Sequence, residues 1–416
     1  MTYTERRLGS LVREALEFSR VVVVAGPRQA GKTTLVRSLT EGRGTFHRLD
    51  DDATLQAALA DPRGFLAFGD RPIVIDEIQR GGDPLVRAIK LAVDEDPTPG
   101  QFLLDGSADF LTVPTISESL AGRAVLLDLW PFSQGEIHGI NDSFVQLALS
   151  DSTVIRATRP CDVIPSGYLD RVCAGGYPDA VALPVTARGR WFSNYLRTLI
   201  QRDVTELTGA RKTDQLPRLL RALAARTSSE LVMASVHRDV GLGALETTVD
   251  YVSYLEMIYL IHRIPAWSRN LTAKVKKHPK VYITDTGLAA AVLAKTPAAL
   301  ANPLDPARGP LLETFVVNEI VKQISWIDTD VRPYHFRDRS GIEIDLILEH
   351  GDGRVVALEV KSATSVNQRD VRHLGWLRDK LDDRFTHGFI LYTGTHTYSL
   401  GDRITATPIA SLWNPG

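Results

Sequence analysis

The sequence has few cysteines, no long apolar run and no apolar segment near its N-terminus. Cys161 and Cys173 are the only cysteines among 416 residues. Two cysteines are too few for a disulfide scaffold or a zinc cage, and such a low number favours a reducing cytoplasm. No apolar run approaches the roughly 20 residues that span a bilayer, so we expect no membrane helix. The first residues lack the apolar core of a secretory signal peptide, so we expect no secretion by that route.

The composition is that of an ordinary globular protein with an uneven distribution of charge. Hydrophobic residues make up 44% of the chain and charged residues 24%, and the length suggests two to three domains. The net charge is −2, yet residues 211–281 contain 12 Lys and Arg against 6 Asp and Glu. This local basic excess indicates either a surface for a polyanion or an ordinary solvated face.

Apolar segments alternate with helical patterns over the N-terminal third of the chain. Val21–Ala25 is a continuous apolar run, and two further runs lie at 73–75 and 102–104. Short apolar runs of this kind are typical of strands that are buried on both faces. Helical patterns at 8–19 and 33–39 flank the first run, so the segment predicts an α/β unit with a parallel sheet.

The turn after the first strand has the pattern of a phosphate-binding loop, G-x-x-x-x-G-K-T. Its glycines let backbone N–H groups wrap a triphosphate at the start of a helix. We expect Lys32 to reach the β- and γ-phosphates of ATP and the hydroxyl of Thr33 to bind Mg²⁺. The predicted nucleotide-binding residues are Gly26, Pro27, Arg28, Gln29, Ala30, Gly31, Lys32, Thr33 and Thr34.

Two carboxylates follow the second apolar strand. Asp76 and Glu77 come at its carboxyl end, which is the edge where ligands bind in open α/β sheets. We expect Asp76 to hold the Mg²⁺ shell and Glu77 to orient or deprotonate the attacking water.

Two further catalytic roles have more than one candidate. After the third strand, either Ser107 or Asp105 is placed to sense the γ-phosphate, and a simple turn at Gly106 is the alternative. Arg123 is the main candidate for a cationic finger, acting within its own subunit or on a neighbour. Arg202 is a second candidate, and an ordinary surface arginine is the alternative reading of each.

The remaining patterns divide the chain into four parts. A P-loop ATPase core over 1–131 is followed by a helical region over 132–210. Helices at about 233–240 and 245–257, then a β-like stretch, predict a winged helix-turn-helix over 211–295. Four prolines predict a linker over 296–310, and a C-terminal α/β domain occupies 308–416.

Four lysines within residues 274–280 follow the predicted wing. They are suited to contacts with DNA phosphates. The second helix of the motif carries Glu246 and Asp250, which is a poor composition for reading a groove. We therefore expect backbone contact by the wing, and a winged helix that only packs against other domains is the alternative.

Five segments together carry a family resemblance over roughly residues 18–365. They are Gly26–Thr34, Ile75–Gln79, Glu118–Arg123, Gly175–Pro178 and Pro279–Leu288. With them the chain resembles prokaryotic AAA-type ATPases that carry a C-terminal DUF4143 domain. That family usually has Thr-Gly-Ser after its third strand, and here Asp105 replaces the threonine. The departure puts a sensor role for Asp105 in doubt and leaves Ser107 as the better match.

The resemblance implies a restriction-endonuclease-like fold for the tail, with matching residues Glu313, Asp345, Glu359 and Lys361. Asp345 and Glu359 would share a Mg²⁺ whose bound water becomes a better nucleophile. Lys361 would steer that water, and Glu313 would add a ligand from a helix. Glu343 lies on the same strand face as Asp345 and is an alternative ligand. The other interpretation is a retained fold whose carboxylates do not support cleavage.

The sequence therefore predicts a P-loop AAA-type parallel sheet with helices, followed by a winged helix and an α/β restriction-endonuclease-like domain. The corresponding function is Mg²⁺-dependent ATP binding and hydrolysis coupled to a tail that binds or cuts nucleic acid, DNA being the expected polyanion. The alternative is a nucleotide-controlled interaction switch whose tail binds nucleic acid or protein without cutting. Either function is compatible with a homo-oligomer.

Overall fold

The structure is a computed structural model that describes residues 3–106, 120–150, 155, 161–200, 215–268 and 278–414. The chain forms two compact units. The first contains residues up to Phe132 together with Met257–Tyr259, and the second contains Ser133–Glu256 and Leu260–Gly416. The predicted four-part division is finer than this and stays a prediction.

The first unit is built on a parallel five-stranded sheet in the order β2-β3-β4-β1-β5. Its strands are β1 (Val21–Ala25), β2 (Thr45–Arg48), β3 (Ile73–Asp76), β4 (Phe102–Asp105) and β5 (Ala124–Asp128). Its helices are Leu8–Phe18, Lys32–Thr40, Asp52–Ala60, Pro62–Ala67 and Gly82–Glu95, with a 3₁₀ turn at Ile78–Gly81.

The three central strands are the apolar runs recognised in the sequence. Every residue of β1, β3 and β4 is buried, because helices cover both faces of a parallel sheet. Ile73, Ile75, Phe102 and Leu104 pack in one cluster with apolar residues of the helix Gly82–Glu95. The prediction of an α/β unit with a parallel sheet is confirmed.

In the second unit the strands form two sheets. β6 (Ser229–Glu230), β7 (Ile261–Ile264) and β8 (Lys280–Ile283) form an antiparallel sheet in the order β6-β8-β7. A six-stranded mixed sheet has the order β13-β14-β12-β11-β10-β9. Its strands are β9 (Val331–Arg337), β10 (Glu343–His350), β11 (Val355–Lys361), β12 (Phe385–Tyr392), β13 (Tyr398–Gly401) and β14 (Ile404–Pro408).

Helices make up much of the rest of the chain after Phe132. They are Gln134–His138, Phe144–Ser150, Pro165–Ala174, Pro178–Ala182, Val185–Leu199, Leu216–Ala224, Met233–Val240, Leu245–Met257, Thr286–Val292, Pro297–Leu300, Arg308–Ile324 and Arg372–Leu381. Short 3₁₀ turns lie at Asp382–Arg384 and Ile409–Leu412. In the described part of the chain, none of the helices has the length and apolar character to cross a membrane.

The helix Arg308–Ile324 is anchored by buried polar side chains. A carboxylate oxygen of Glu319 accepts a hydrogen bond from the Gln134 N–H at 2.7 Å. The amide of Gln323 accepts from the Val145 N–H at 3.0 Å and donates to the Leu412 carbonyl. Because buried backbone groups need partners, these side chains fix three separate segments on one helix.

The prediction of a plain linker over 296–310 is wrong in part. The segment contains the helix Pro297–Leu300, which Thr296 caps through the Ala299 N–H, and Leu300 is fully buried. Pro297 occupies the first helical position, where its missing N–H costs nothing. A proline that starts a helix has the same appearance in the sequence as a proline in a linker.

Candidate functional site: a phosphate loop and a lysine-centred carboxylate cluster

The phosphate loop lies between β1 and the helix Lys32–Thr40. Gly26 has φ 150°, and a Cβ there would lie 2.2 Å from the Leu129 carbonyl oxygen. Gly31 has φ 95° directly before the helix. Both positions therefore require glycine. The Lys32 ammonium is buried under the loop, where it donates to the Gly26 and Pro27 carbonyls at 3.1 and 3.0 Å.

Three polar side chains meet at the carboxyl edge of the sheet. The Thr33 hydroxyl lies 2.9 Å from Asp76 Oδ1 and 3.1 Å from Asp105 Oδ2. The sheet order explains the meeting, because β4 lies between β1 and β3 and their carboxyl ends share one edge. Hard oxygen donors of this kind suit Mg²⁺, so Thr33 and Asp76 fit the predicted ion.

Asp105 is the residue that departs from the family pattern, and its surroundings change its charge. Burial raises the pKa of its carboxyl to about 8, and nearby Asp76 and Glu77 add to the increase against the opposing charge of Lys32. Near neutral pH the group therefore carries a proton. A neutral carboxyl has an O–H donor, so Asp105 offers the hydrogen bond that a threonine hydroxyl would offer.

Glu77 follows β3 in an uncommon backbone conformation. Its φ of 58° and ψ of 46° lie in the left-handed region, which a non-glycine residue adopts at a cost. Gln79 donates a side-chain hydrogen bond to the Glu77 carboxylate. The turn and this bond fix the direction of the carboxylate next to Asp76. Gln79 is the last residue of the family segment Ile75–Gln79, and no role was predicted for its side chain.

Arg6 is a second contributor that the motifs did not indicate. Its guanidinium donates to the Ala30 carbonyl in the phosphate loop at 2.7 Å and to the Trp130 carbonyl at 2.6 Å. It also lies 4.7 Å from the centre of the Phe132 ring. Arg6 therefore ties the loop to the segment after β5.

Of the predicted sensor and finger residues that the structure describes, Asp105 lies at this site and Arg123 does not. Ser107 and Arg202 lie outside the described residues. Arg123 donates to Asp94 on the helix Gly82–Glu95 at 3.1 Å and directly precedes β5. It lies at the amino edge of the parallel sheet, whereas the phosphate loop follows the carboxyl end of β1. A finger role within the same subunit is not supported by this placement, and action on a neighbouring subunit stays a prediction.

The tail carboxylates form a cluster around a lysine that the sequence analysis assigned only to DNA contact. The Lys280 ammonium lies 2.9 Å from Glu313, 3.2 Å from Glu343 and 3.3 Å from Asp345. Burial tends to lower the pKa of Lys280, but these carboxylates outweigh it and raise the pKa above its ordinary value. Tyr282, two residues along β8, donates to Glu313 at 3.0 Å. Burial is the main cause that raises the pKa of Glu313 to about 8, and the negative charge of Asp345 adds to the increase.

Glu359 and Lys361 pair with each other beside this cluster. The Lys361 ammonium lies 3.2 Å from Glu359 Oε2, as expected for side chains on one face of β11. His373 Nδ1 lies 3.8 Å from Glu359 Oε1. Burial, followed by the Asp345 charge, raises the pKa of Glu359. The role of His373 was missed because it comes from the helix Arg372–Leu381, distant in sequence.

The structure brings the predicted metal ligands Glu313, Asp345 and Glu359 close together, but hydrogen-bond donors of the protein already contact their carboxylates. One Asp345 oxygen accepts from Lys280 and the other from the Val360 N–H at 2.9 Å. Over the described ranges, no group of three or more His, Cys, Asp or Glu side chains is arranged to hold a metal ion. The metal roles of Glu313, Asp345 and Glu359 stay a prediction.

Two of the segments that carry the family resemblance meet at a structural junction. Asp285 accepts from the Gly176 N–H at 2.6 Å and caps the helix Thr286–Val292 through the Leu288 N–H. A Cβ on Gly175 would lie 2.2 Å from an Asp285 oxygen. These residues therefore hold neighbouring helices together, and the contacts explain why glycine and aspartate occur there.

The predicted DNA-binding motif is only partly described. The helices Met233–Val240 and Leu245–Met257 are present at the predicted positions and are joined by a turn with Gly241 in a left-handed conformation. Residues 269–277, with most of the wing lysines, lie outside the described residues. The winged helix and its contact with DNA stay predictions.

Three families match consecutive parts of the chain. Residues 18–138 match the AAA domain family. Residues 166–299 match a domain of unknown function, DUF8612, and residues 308–412 match a second one, DUF4143.

Two relatives match the chain over its whole length. Uncharacterized proteins of Mycobacterium tuberculosis and Mycobacterium bovis are each 27% identical over 419 residues, covering 100% of this chain and 86% of theirs. Among solved structures, a Walker-type ATPase of Pyrococcus abyssi has a TM-score of 0.39 at 15% identity, covering 70% of this chain and 96% of that one. AMPPCP-bound DnaA from Aquifex aeolicus has a TM-score of 0.29 at 13% identity, covering 59% and 86%. Both structural likenesses are remote. The chain therefore contains an AAA domain over residues 18–138 and a C-terminal DUF4143 domain over residues 308–412.

Proposed function

We propose that the first unit binds ATP with Mg²⁺ and hydrolyses it. The observation that carries this proposal is the meeting of Thr33, Asp76 and Asp105 beside the phosphate loop and its buried Lys32. An AAA domain over residues 18–138 supports it independently. When bound, Mg²⁺ would offset negative charge on the phosphates.

Each residue has a separate task in this proposal. Lys32 binds phosphate oxygens as a point charge, and the loop glycines let backbone N–H groups approach the same oxygens. Thr33 and Asp76 hold the ion. Glu77 orients the attacking water and takes its proton. Protonated Asp105 donates a hydrogen bond toward the γ-phosphate.

We test the nucleotide site with Lys32→Ala. Lys90→Ala is the matched control, since Lys90 lies on the exposed side of the helix Gly82–Glu95 near Asp94. We expect Lys32→Ala to weaken ATP binding by at least about tenfold, because a hydrogen bond to a charged group contributes about 1.5–3 kcal/mol. Equal ATP affinity in wild type and Lys32→Ala would contradict the assignment.

For the tail, we propose a nucleotide-controlled interaction role without cleavage. The observation that favours it over a nuclease is the Lys280 ammonium among the carboxylates that a metal would need. Incubating the full chain with supercoiled and linear DNA in Mg²⁺ or Mn²⁺ tests this. Cleavage that Glu359→Ala abolishes would favour the nuclease, and intact DNA supports the interaction role.

A further inference from the structure

Lys280 is enclosed by acidic side chains from separate elements of the second unit. The lysine begins β8, Glu313 lies on the helix Arg308–Ile324, and Glu343 and Asp345 lie on β10. The three ammonium–carboxylate distances fall between 2.9 and 3.3 Å. Lys280 is 1% exposed, so its ammonium is bound by these carboxylates and not by bulk water.

The cluster needs a positive charge to be stable. Like charges close together in a buried site repel strongly, and burying a carboxylate without a partner is costly. Lys280 supplies the charge from a covalently attached side chain. Tyr282 on the same strand adds a neutral donor to Glu313. The acidic side chains therefore have their compensating donors within the chain itself.

A divalent metal does not fit this arrangement. Each Asp345 oxygen already accepts from a donor, one of them the Lys280 ammonium. A metal next to Asp345 and Glu313 would lie beside the same ammonium, and two cations would repel each other. Glu359 has its own cation, Lys361, at 3.2 Å.

We propose that Lys280 is the resident cation of this carboxylate cluster and occupies the place that a divalent metal would take in a nuclease site. In wild type, the second unit then joins β8, β10 and the helix Arg308–Ile324 at this cluster without a metal. Removing the lysine should convert the cluster into a site for a divalent cation. This inference concerns the second unit and does not depend on ATP hydrolysis by the first.

The test uses the full chain without nucleotide and Mn²⁺ as the probe. We expect Lys280→Met to lower Tm, and Mn²⁺ to raise the Tm of this variant by several degrees, because bound metal stabilises the folded state by mass action. Adding Asp345→Asn to Lys280→Met should remove that rise. Lys295→Met is the matched control, because Lys295 pairs with a single carboxylate, Asp305, at 2.6 Å. We expect this control to show no Mn²⁺ response beyond that of wild type.

Wild type provides a test that holds even if Lys280→Met does not fold. The proposal expects the same Mn²⁺ response in wild type and in Asp345→Asn. A Tm rise in wild type that Asp345→Asn loses would overturn it, because the tail would then bind metal with Lys280 in place. A folded Lys280→Met that does not respond to Mn²⁺ would equally overturn it, since the cluster would then not be a latent metal site.

Discussion

Replacing Asp105 by asparagine should change how the stability of the chain depends on pH. Asparagine has nearly the same shape but no charge, so it imitates the protonated acid. Burial raises the pKa of Asp105 to about 8 in the folded chain, against an ordinary value of 3.8. Between these two pH values, the carboxyl of Asp105 is therefore protonated in the folded state and ionised in the unfolded state. The contribution of Asp105 to the stability of wild type is fully present below the ordinary pKa of 3.8 and is lost as pH rises through about 8.

The size of the effect follows from the same values. Between about pH 6 and the folded pKa of about 8 there are two pH units, and each unit corresponds to about 1.4 kcal/mol. Wild type should thus lose about 3 kcal/mol through Asp105 between about pH 6 and about pH 9. Asp105→Asn should lack this part of the loss.

Urea unfolding of both proteins at about pH 6 and about pH 9 gives the measurement. The quantity of interest is the difference in unfolding free energy between variant and wild type at each pH, since contributions from other groups such as Glu313 cancel. We expect the variant to gain about 3 kcal/mol relative to wild type at the higher pH. A difference that does not change with pH would show that Asp105 is ionised in the folded chain at both values, which would refute the reasoning.

Three further predictions concern the ion, the loop and the basic segment. Asp76→Asn should raise the Mg²⁺ concentration needed for half-maximal ATP hydrolysis by about tenfold or more, because one ligand of the ion loses its charge. A Mg²⁺ titration that finds the same requirement in the variant and in wild type would show that Asp76 does not bind the ion. Arg6→Met should both weaken ATP binding and lower Tm, because the Ala30 and Trp130 carbonyls lose their hydrogen-bond donor. If calorimetry finds the ATP affinity and the Tm unchanged, the phosphate loop does not need this contact. DNA affinity of wild type should fall steeply with salt, and neutralising Lys274, Lys276 and Lys277 together should flatten that slope; an equal slope would exclude the wing from the binding surface.

The central strands and the phosphate loop could be predicted because their chemistry is local. A continuous apolar run such as Val21–Ala25 is removed from water only when both faces of the strand are buried. The glycines of the phosphate loop have φ values that other residues adopt only at a cost in free energy. The edge strands Thr45–Arg48 and Ala124–Asp128 were missed. Most of their residues are partly exposed, so their sequences are mixed and resemble loops.

The contacts of the candidate sites were harder to predict because they join distant segments. Arg6 reaches the phosphate loop from a position before the first helix. Lys280 was grouped with the other lysines of residues 274–280, since nothing in a run of basic residues shows which one is buried. The meeting with Glu313 and Asp345 depends on how β8 and β10 are placed in the fold, and single-sequence periodicity does not contain that information.

The most direct test of the central claim is ATP turnover by Glu77→Gln in the presence of Mg²⁺. Glutamine keeps the shape of the side chain but cannot take a proton from water, so we expect ATP binding to be retained and turnover to fall by about 10²-fold or more. Glu95→Gln is the matched control, because Glu95 is an exposed carboxylate paired with Arg63 at 2.9 Å. Lost turnover with retained binding in Glu77→Gln alone is the result that the account predicts. Equal ATPase rates in wild type and Glu77→Gln would contradict it.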